Sequence, residues 1–262
     1  MIPEIFIEQW RSQVAWKSLA MVEQDLIISR AIIDLYNNQI IRESLVFRGG
    51  TALNKLYINP PARYSEDIDL VQIKAGPIGE TLSAIRSALS WLGEPKCKLT
   101  ERSAKLIYRY TAVDNTPAKL KIEINTTEHF NIRPLMHVDF VLASEWFSGQ
   151  SSILTYHIEE LMATKLRALY QRRKGRDLFD LWLVLSNNLV DIDSVVQIFL
   201  AYLEHEGLKI NQMLFTENMI CKKNNSDFVL DMHMLLSIDT EWEFEKAFQF
   251  VKNILLTRLP VK

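Results

Sequence analysis

Asp67 and Asp69 are the residues of this sequence best placed to do chemistry. They lie in Tyr64-Ser65-Glu66-Asp67-Ile68-Asp69-Leu70-Val71, a run with few breakers that ends in alternating aliphatic and acidic positions, which predicts a strand. Strand side chains alternate, so Ser65, Asp67, Asp69 and Val71 share one face while Ile68 and Leu70 turn to a core. The two aspartates then have Cα atoms roughly 6.5–7 Å apart, and their oxygens can converge on one or two divalent ions. Paired ions of that kind stabilise the attacking and leaving oxygens of a phosphoryl transfer. An Asp-x-Asp pair also occurs on ordinary solvated strand ends, but the residues upstream weigh against that reading. Val46-Phe47-Arg48-Gly49-Gly50 is an apolar approach ending in a turn, and Thr51 to Tyr57 follows as a short helix. Gly49 and Gly50 let backbone N–H groups close on an anion, and the helix N-terminus adds the positive end of its dipole. A phosphate cradle followed by a two-carboxylate strand is the working arrangement of a nucleotidyltransferase.

Arg48-Gly49-Gly50-Thr51-Ala52-Leu53 and Arg63-Tyr64-Ser65-Glu66-Asp67-Ile68-Asp69-Leu70 together resemble the AbiEii/AbiGii toxin family of nucleotidyltransferase-like proteins. A third block, Glu159-Glu160-Leu161-Met162-Ala163-Thr164-Lys165-Leu166-Arg167-Ala168-Leu169 followed by Arg176-Asp177-Leu178-Phe179-Asp180-Leu181, extends the resemblance in the same order. It covers residues 48 to 181. The resemblance implies an α+β fold, a polymerase-β-like nucleotidyltransferase mixed sheet flanked by helices and followed by a C-terminal helical region. It also implies a metal-dependent enzyme, using Mg²⁺ or Mn²⁺, that moves a nucleoside monophosphate from an NTP to an acceptor hydroxyl. Members act as toxins of type IV toxin–antitoxin or abortive-infection pairs, and some modify tRNA acceptor ends, so a tRNA acceptor and a cognate antitoxin are the implied partners. A transferase acting on a protein or small-molecule hydroxyl, and a non-catalytic nucleotide-binding module, are the alternatives.

The elements that must position these residues follow along the chain. Residues 4–42 have helical periodicity through Val14, Leu19, Val22, Leu26, Ala31 and Leu35. Asn59-Pro60-Pro61 separates the glycine helix from the acidic strand, and Arg63 just before that strand is either a surface residue or one that reaches a triphosphate. Residues 80–92 read as a helix that Gly93-Glu94-Pro95 ends. Lys96 to Val113 is strand-like, and Ala118 to Asn125 alternates cleanly, with Leu120, Ile122 and Ile124 on one side and Lys119, Lys121, Glu123 and Asn125 on the other. Glu123 is thus the candidate third carboxylate of the trio that polymerase-β-like enzymes use, with Asp139 in reserve and a solvated strand face as the alternative. Ser148-Gly149-Gln150-Ser151-Ser152 reads as a linker, which divides the chain into a nucleotidyltransferase-like domain over 1–150 and a helical domain over 151–262 contributing to the nucleotide site.

In the helix near 158–171, Lys165 interrupts the apolar stripe of Leu161, Met162, Leu166 and Leu169. A lysine there must snorkel, meet a carboxylate such as Asp177 or Asp180, or meet a phosphate. The resemblance makes it a nucleotide-site residue, with Asp177 beside it and Asp180 in an orienting role. In the expected mechanism the phosphates lie over Gly49, Gly50 and Thr51, the metals on Asp67 and Asp69, and Lys165 and Arg63 offset phosphate charge. Ser65 bonds a phosphate oxygen, and Glu123, or a water on the metal, takes the acceptor proton. Lys165, Arg167, Arg172, Arg173, Lys174 and Arg176 form a local basic cluster that suits acceptor phosphates or an ordinary solvated face.

Composition sets outer limits. The 262 residues are 48% apolar and 24% charged, with a net charge of −2, so any RNA contact must be local. Two distant cysteines, Cys97 and Cys221, and a start without a basic region and apolar run predict a soluble protein of the reducing cytoplasm. No apolar run spans a membrane. The five histidines lack ligand spacing, and no Gly-x-Ser-x-Gly elbow points to a hydrolase. Residues 182–262 carry no recognisable motif.

Overall fold

A computed structural model describes residues 2–261. Met1, the first residue of the chain start, and Lys262, the last of the expected helical domain, lie outside them. The chain runs α1 (Glu4–Arg11), α2 (Leu19–Tyr36), α3 (Gln39–Ser44), β1 (Leu45–Arg48), α4 (Gly49–Leu56), β2 (Asp67–Gln72), α5 (Gly79–Ala88), β3 (Lys96–Leu99), β4 (Ser103–Thr111), β5 (Pro117–Asn125), β6 (Met136–Ala143) and β7 (Ser148–Thr155). Helices follow: α6 (Ile158–Gln171), α7 (Gly175–Ser186), α8 (Ile192–His205), α9 (Gln212–Lys223), α10 (Ser226–Leu230) and α11 (Phe244–Leu255). The fold is α+β.

Two compact units divide the chain. The first comprises residues up to Phe130, Leu135–Tyr156 and the short return Leu236–Thr240; the second comprises Asn131–Pro134, His157–Leu235 and the segment from Glu241 on.

The first unit holds a seven-stranded mixed sheet in the order β3-β4-β5-β2-β1-β7-β6. β2 pairs antiparallel with β1 and parallel with β5, so the aspartate strand is central. One face is apolar: Phe47, Ile68, Leu70, Leu106, Tyr108, Leu120, Ile122 and Ile124 are all buried there. The strict alternation read from Ala118 to Asn125 is what lets β5 turn three aliphatic residues inward and its polar residues outward. α2 starts at Ser18, whose hydroxyl accepts the Met21 N–H, and is buried almost all round. Its buried polar groups have specific partners. The Gln24 amide donates to the Glu66 and Lys119 carbonyls at 3.0 and 2.9 Å and accepts from Tyr110, tying the entrances of β2 and β5 together. Asp25 accepts from Trp10 and from Lys55 of α4, which also donates to Ser29.

Two expectations change here. The single helical stretch 4–42 is three helices, because Ser18 and Asn38 cap separate starts. The polar run 148–152 is no linker but the first half of β7, paired along its length with β6. Small polar residues suit the outer half of that strand, whereas Ile153, Leu154 and Thr155 enter the core.

In the second unit, α7 packs against α6, α10 and α11, and Phe179, Trp182, Trp242 and Phe244 form edge-to-face contacts at its centre. Glu160, fully buried, accepts the Ile132 and Arg133 N–H groups at 2.7 and 2.9 Å and the Tyr202 hydroxyl at 2.8 Å. The acidic start of the third sequence block is thus a fastening of the 131–134 segment to α6 and α8.

Candidate active site

Residues opposite one another on paired strands share a face, so the sheet register builds the site row by row. Arg48 on β1 lies opposite Asp69 on β2, Asp69 opposite Glu123 on β5, and Glu123 opposite Lys105 on β4. In the neighbouring row Asp67 lies opposite Lys121. Three carboxylates therefore share the face turned away from the apolar core, all of them half-buried. Asp139 sits on the edge strand β6, with β7 and β1 between it and β2, and is exposed. Glu123, not Asp139, is the carboxylate brought beside Asp69.

The charges on this face are matched. Lys121 Nζ lies 2.7 Å from Asp67 Oδ2 and 3.4 Å from Glu123 Oε2, and Lys105 Nζ lies 2.8 Å from Glu123 Oε1. Partial burial opposes the Lys121 charge, but Asp67, Glu123 and Asp69 outweigh it and hold the ammonium above its ordinary range. Glu123 is held below the usual carboxylate range: burial works the other way, and Lys105 and Lys121 prevail. A carboxylate so stabilised is a weaker base than an isolated one. Arg48 is held above its ordinary range against the effect of burial, chiefly by its ion pair with Glu128, with Asp69 adding a smaller pull. Sequence reasoning passed over Arg48, Lys105 and Lys121; the alternation of β5 marked Lys121's face but not its partners.

The glycine turn serves the site sterically. Gly49 has φ +83°, and a Cβ there would overlap Asp69 Oδ2; a Cβ on Gly50 would overlap the Arg63 guanidinium. α4 starts at this turn with no side-chain cap on its first N–H groups. Three expected nucleotide contacts are placed differently. Arg63 is 2% exposed, donating to the Tyr64 carbonyl and enclosed behind Gly50, so it does not extend toward solvent as a surface or triphosphate-reaching arginine. Its charge backs the start of α4 instead. Thr51 is 1% exposed and donates its only hydroxyl proton to the Asp67 carbonyl, so the 2.7 Å bond to Ser65 has Ser65 as donor. These two hydroxyls pin α4 to the entrance of β2. The strand itself starts at Asp67, three residues later than expected, because Ser65 turns to Thr51 rather than joining the ladder.

In the second unit Lys165 meets carboxylates. Its Nζ lies 3.1 Å from Asp177 Oδ1 and 2.8 Å from Asp180 Oδ2, while Arg172 grips Asp177 through two hydrogen bonds of 2.7 and 2.9 Å. Two cations and two anions balance in a site where both aspartates are fully buried. Burial alone would raise Asp177, but Lys165 and Arg172 hold it below the usual carboxylate range. Gly175 lets α7 begin against α10, since a Cβ there would overlap the Phe228 carbonyl.

A family model described as nucleotidyl transferase AbiEii toxin, type IV TA system, matches residues 33–250. The chain belongs to this family. It is a nucleotidyltransferase toxin of a type IV toxin–antitoxin system. Its fold resembles that of MenT4, a nucleotidyltransferase toxin from Mycobacterium tuberculosis H37Rv, with a TM-score of 0.65 over 99% of this chain and 91% of that one at 17% identity. A nucleotidyltransferase-like protein from Paracoccidioides brasiliensis aligns over 80% of this chain and 94% of its own, at 12% identity and a TM-score of 0.37, too distant to carry an argument. No curated protein sequence matches.

The oxygen-only donor set of Asp67, Asp69 and Glu123 fits a hard divalent cation such as Mg²⁺ or Mn²⁺. An ammonium drawn onto two of these carboxylates shows that the face favours positive charge. Among the described residues no three His, Cys, Asp or Glu side chains are gathered closely enough to hold a metal as they stand. No helix among them is long and apolar enough to cross a membrane.

Proposed function

We propose that this AbiEii-family protein uses Mg²⁺ or Mn²⁺ to transfer a nucleoside monophosphate from an NTP to a hydroxyl of a tRNA acceptor. We propose too that it is paired with a cognate antitoxin, in toxin–antitoxin or abortive-infection function. The observation that carries the reading is the placement of Asp67, Asp69 and Glu123 on one face of adjacent strands, with the Gly49–Gly50 turn against Asp69.

When bound, the divalent ion neutralises phosphate charge and stabilises the attacking and leaving oxygens. Asp67, Asp69 and Glu123 are its holders. The backbone N–H groups at the start of α4 face the phosphates, with the Arg63 charge behind them. The Thr51 and Ser65 hydroxyls fix the distance between that helix and Asp67 rather than bonding nucleotide. In the transfer the acceptor oxygen bonds the α-phosphorus, the bond to the β-phosphate oxygen breaks, and pyrophosphate leaves with the electron pair. The acceptor proton passes to solvent. Lys165 on α6 and Asp177 on α7 are assigned to the same reaction by family resemblance.

Incubation with Mg²⁺, each α-labelled NTP and total RNA, with the Asp67→Asn variant alongside, tests this. The expected result is label on a tRNA-sized species with the parent and none with the variant. Label on protein or small molecules would redirect the acceptor. Equal labelling by the variant would remove Asp67 from the chemistry.

A further inference from the structure

Among the groups of the sheet face that the proposed chemistry leaves unassigned, the ammonium of Lys121 meets two of the three carboxylates. It is not a peripheral surface lysine. β5 runs parallel to β2 with Lys121 opposite Asp67 and Glu123 opposite Asp69, so the lysine stands in the row beside the carboxylate pair. Its Nζ bonds Asp67 Oδ2 at 2.7 Å and reaches Glu123 Oε2 at 3.4 Å, linking two carboxylates on adjacent strands. Lys105, one strand further out, reaches Glu123 alone among the three. Lys121 is thus placed as a cation is placed, between acidic groups that would otherwise repel one another.

We propose that Lys121 is an internal counter-cation, competing with the divalent ion for Asp67 and Glu123 and so setting the metal concentration at which the site loads. The inference rests on the reading of Asp67, Asp69 and Glu123 as metal holders. An ammonium and a divalent ion cannot both take the same carboxylate oxygens at close range, because like charges a few ångströms apart repel strongly at protein surfaces. The carboxylates must release Lys121 before they close on the metal. Without metal the lysine relieves their mutual repulsion, so the protein keeps an ordered sheet face. With metal, the freed ammonium adds its charge to a site that must accept a triphosphate.

The experiment measures Mn²⁺ affinity by calorimetry without nucleotide, together with the melting temperature of the metal-free protein. Lys121→Met is expected to bind Mn²⁺ at least about fivefold more tightly. Its metal-free melting temperature should fall and its rise on adding Mn²⁺ should exceed that of the parent. Lys121→Gln, which keeps a hydrogen-bond donor and removes only the charge, should tighten binding likewise and serves if the methionine variant folds poorly. Lys121→Arg should bind as the parent does, and Lys105→Met should tighten binding less than Lys121→Met. Unchanged or weaker Mn²⁺ binding in both charge-removing variants would overturn the proposal. Asp67→Asn separates the two readings. If it abolishes Mn²⁺ binding while the Lys121 variants bind as the parent does, the metal site stands and the counter-cation fails. If Asp67→Asn binds Mn²⁺ undiminished, the metal-site reading itself falls.

Discussion

Gly49 and Asp69 are fitted to one another. The +83° φ of Gly49 is a conformation L residues reach only with strain, and its missing Cβ leaves the space that Asp69 Oδ2 fills. Gly49→Ala is therefore expected to cost about 1–2 kcal/mol through backbone handedness alone. It should also push Asp69 out of line, so that transfer measured well below the melting temperature falls far more than the stability loss explains. Lys165 presents the opposite case. Lys165→Met would remove the ammonium that meets both fully buried aspartates, Asp177 and Asp180, and breaking such a buried pair costs roughly 3–5 kcal/mol. Lost activity in that variant should come with a large drop in melting temperature, whereas Asp67→Asn, on the half-buried face, should lose activity and keep its melting curve.

At the scale of elements, what matters is how the strands carrying the carboxylates are held in register. Gln24 of α2 bridges the Glu66 and Lys119 carbonyls, immediately before Asp67 and two residues before Lys121. Gln24→Leu should lower stability by about 1–3 kcal/mol, because the buried Tyr110 hydroxyl loses its acceptor and two part-buried carbonyls lose their donor. It should also weaken Mn²⁺ binding although no carboxylate is altered; urea melts and calorimetry check the two parts. The start of α7 has its own anchor. Asp231 accepts the Arg176 backbone N–H at 3.0 Å and its guanidinium at 3.2 and 3.3 Å. Burial alone would raise this carboxyl, but Arg176 holds it below the usual range. A depressed folded-state pKa contributes stability that is present above the unfolded value, about 3.9, and lost as pH falls through the folded value. The stability gap between the parent and Asp231→Asn should accordingly be full at neutral pH and close as urea melts are taken down through that range.

For the molecule as a whole, charge and chain path set the remaining constraints. The net charge of −2 would leave the proposed RNA binding to local features, yet the basic cluster of 165–176 is largely neutralised from within. Lys165 and Arg172 meet Asp177, Arg167 meets Glu206, and Arg176 meets Asp231. Arg173 and Lys174 are the exposed members with little or no such pairing. The double variant Arg173→Ala, Lys174→Ala should weaken tRNA binding evenly across sequences and reduce the salt slope by about 2, measured by binding titrations at several ionic strengths. The chain path is interleaved, since Leu236–Thr240 returns to the first unit and its Ser237 N–H and Thr240 hydroxyl both donate to the Ala62 carbonyl. The surroundings of Arg63 are therefore completed by residues more than 170 positions later, bridged to it through Leu236.

Local sequence by itself determined the features governed by short-range periodicity and residue type. The period of two placed Asp67 with Asp69 and turned Glu123 away from Ile122 and Ile124, and the glycine pair marked a turn before a short helix. Helical spacing exposed Lys165 as a charge within an apolar stripe. Tertiary structure decided everything that depends on which strands are neighbours. β5 rather than β6 lies beside β2, which brings Glu123 and not Asp139 to Asp69, and with it Lys121 to Asp67. It also turned Thr51, Ser65 and Arg63 inward, because a hydroxyl or guanidinium is spent on whatever partner packing brings within reach. Alternation is a property of a few consecutive residues and survives in the linear sequence. Register and enclosure arise from contacts between residues far apart along the chain, and no local pattern encodes them.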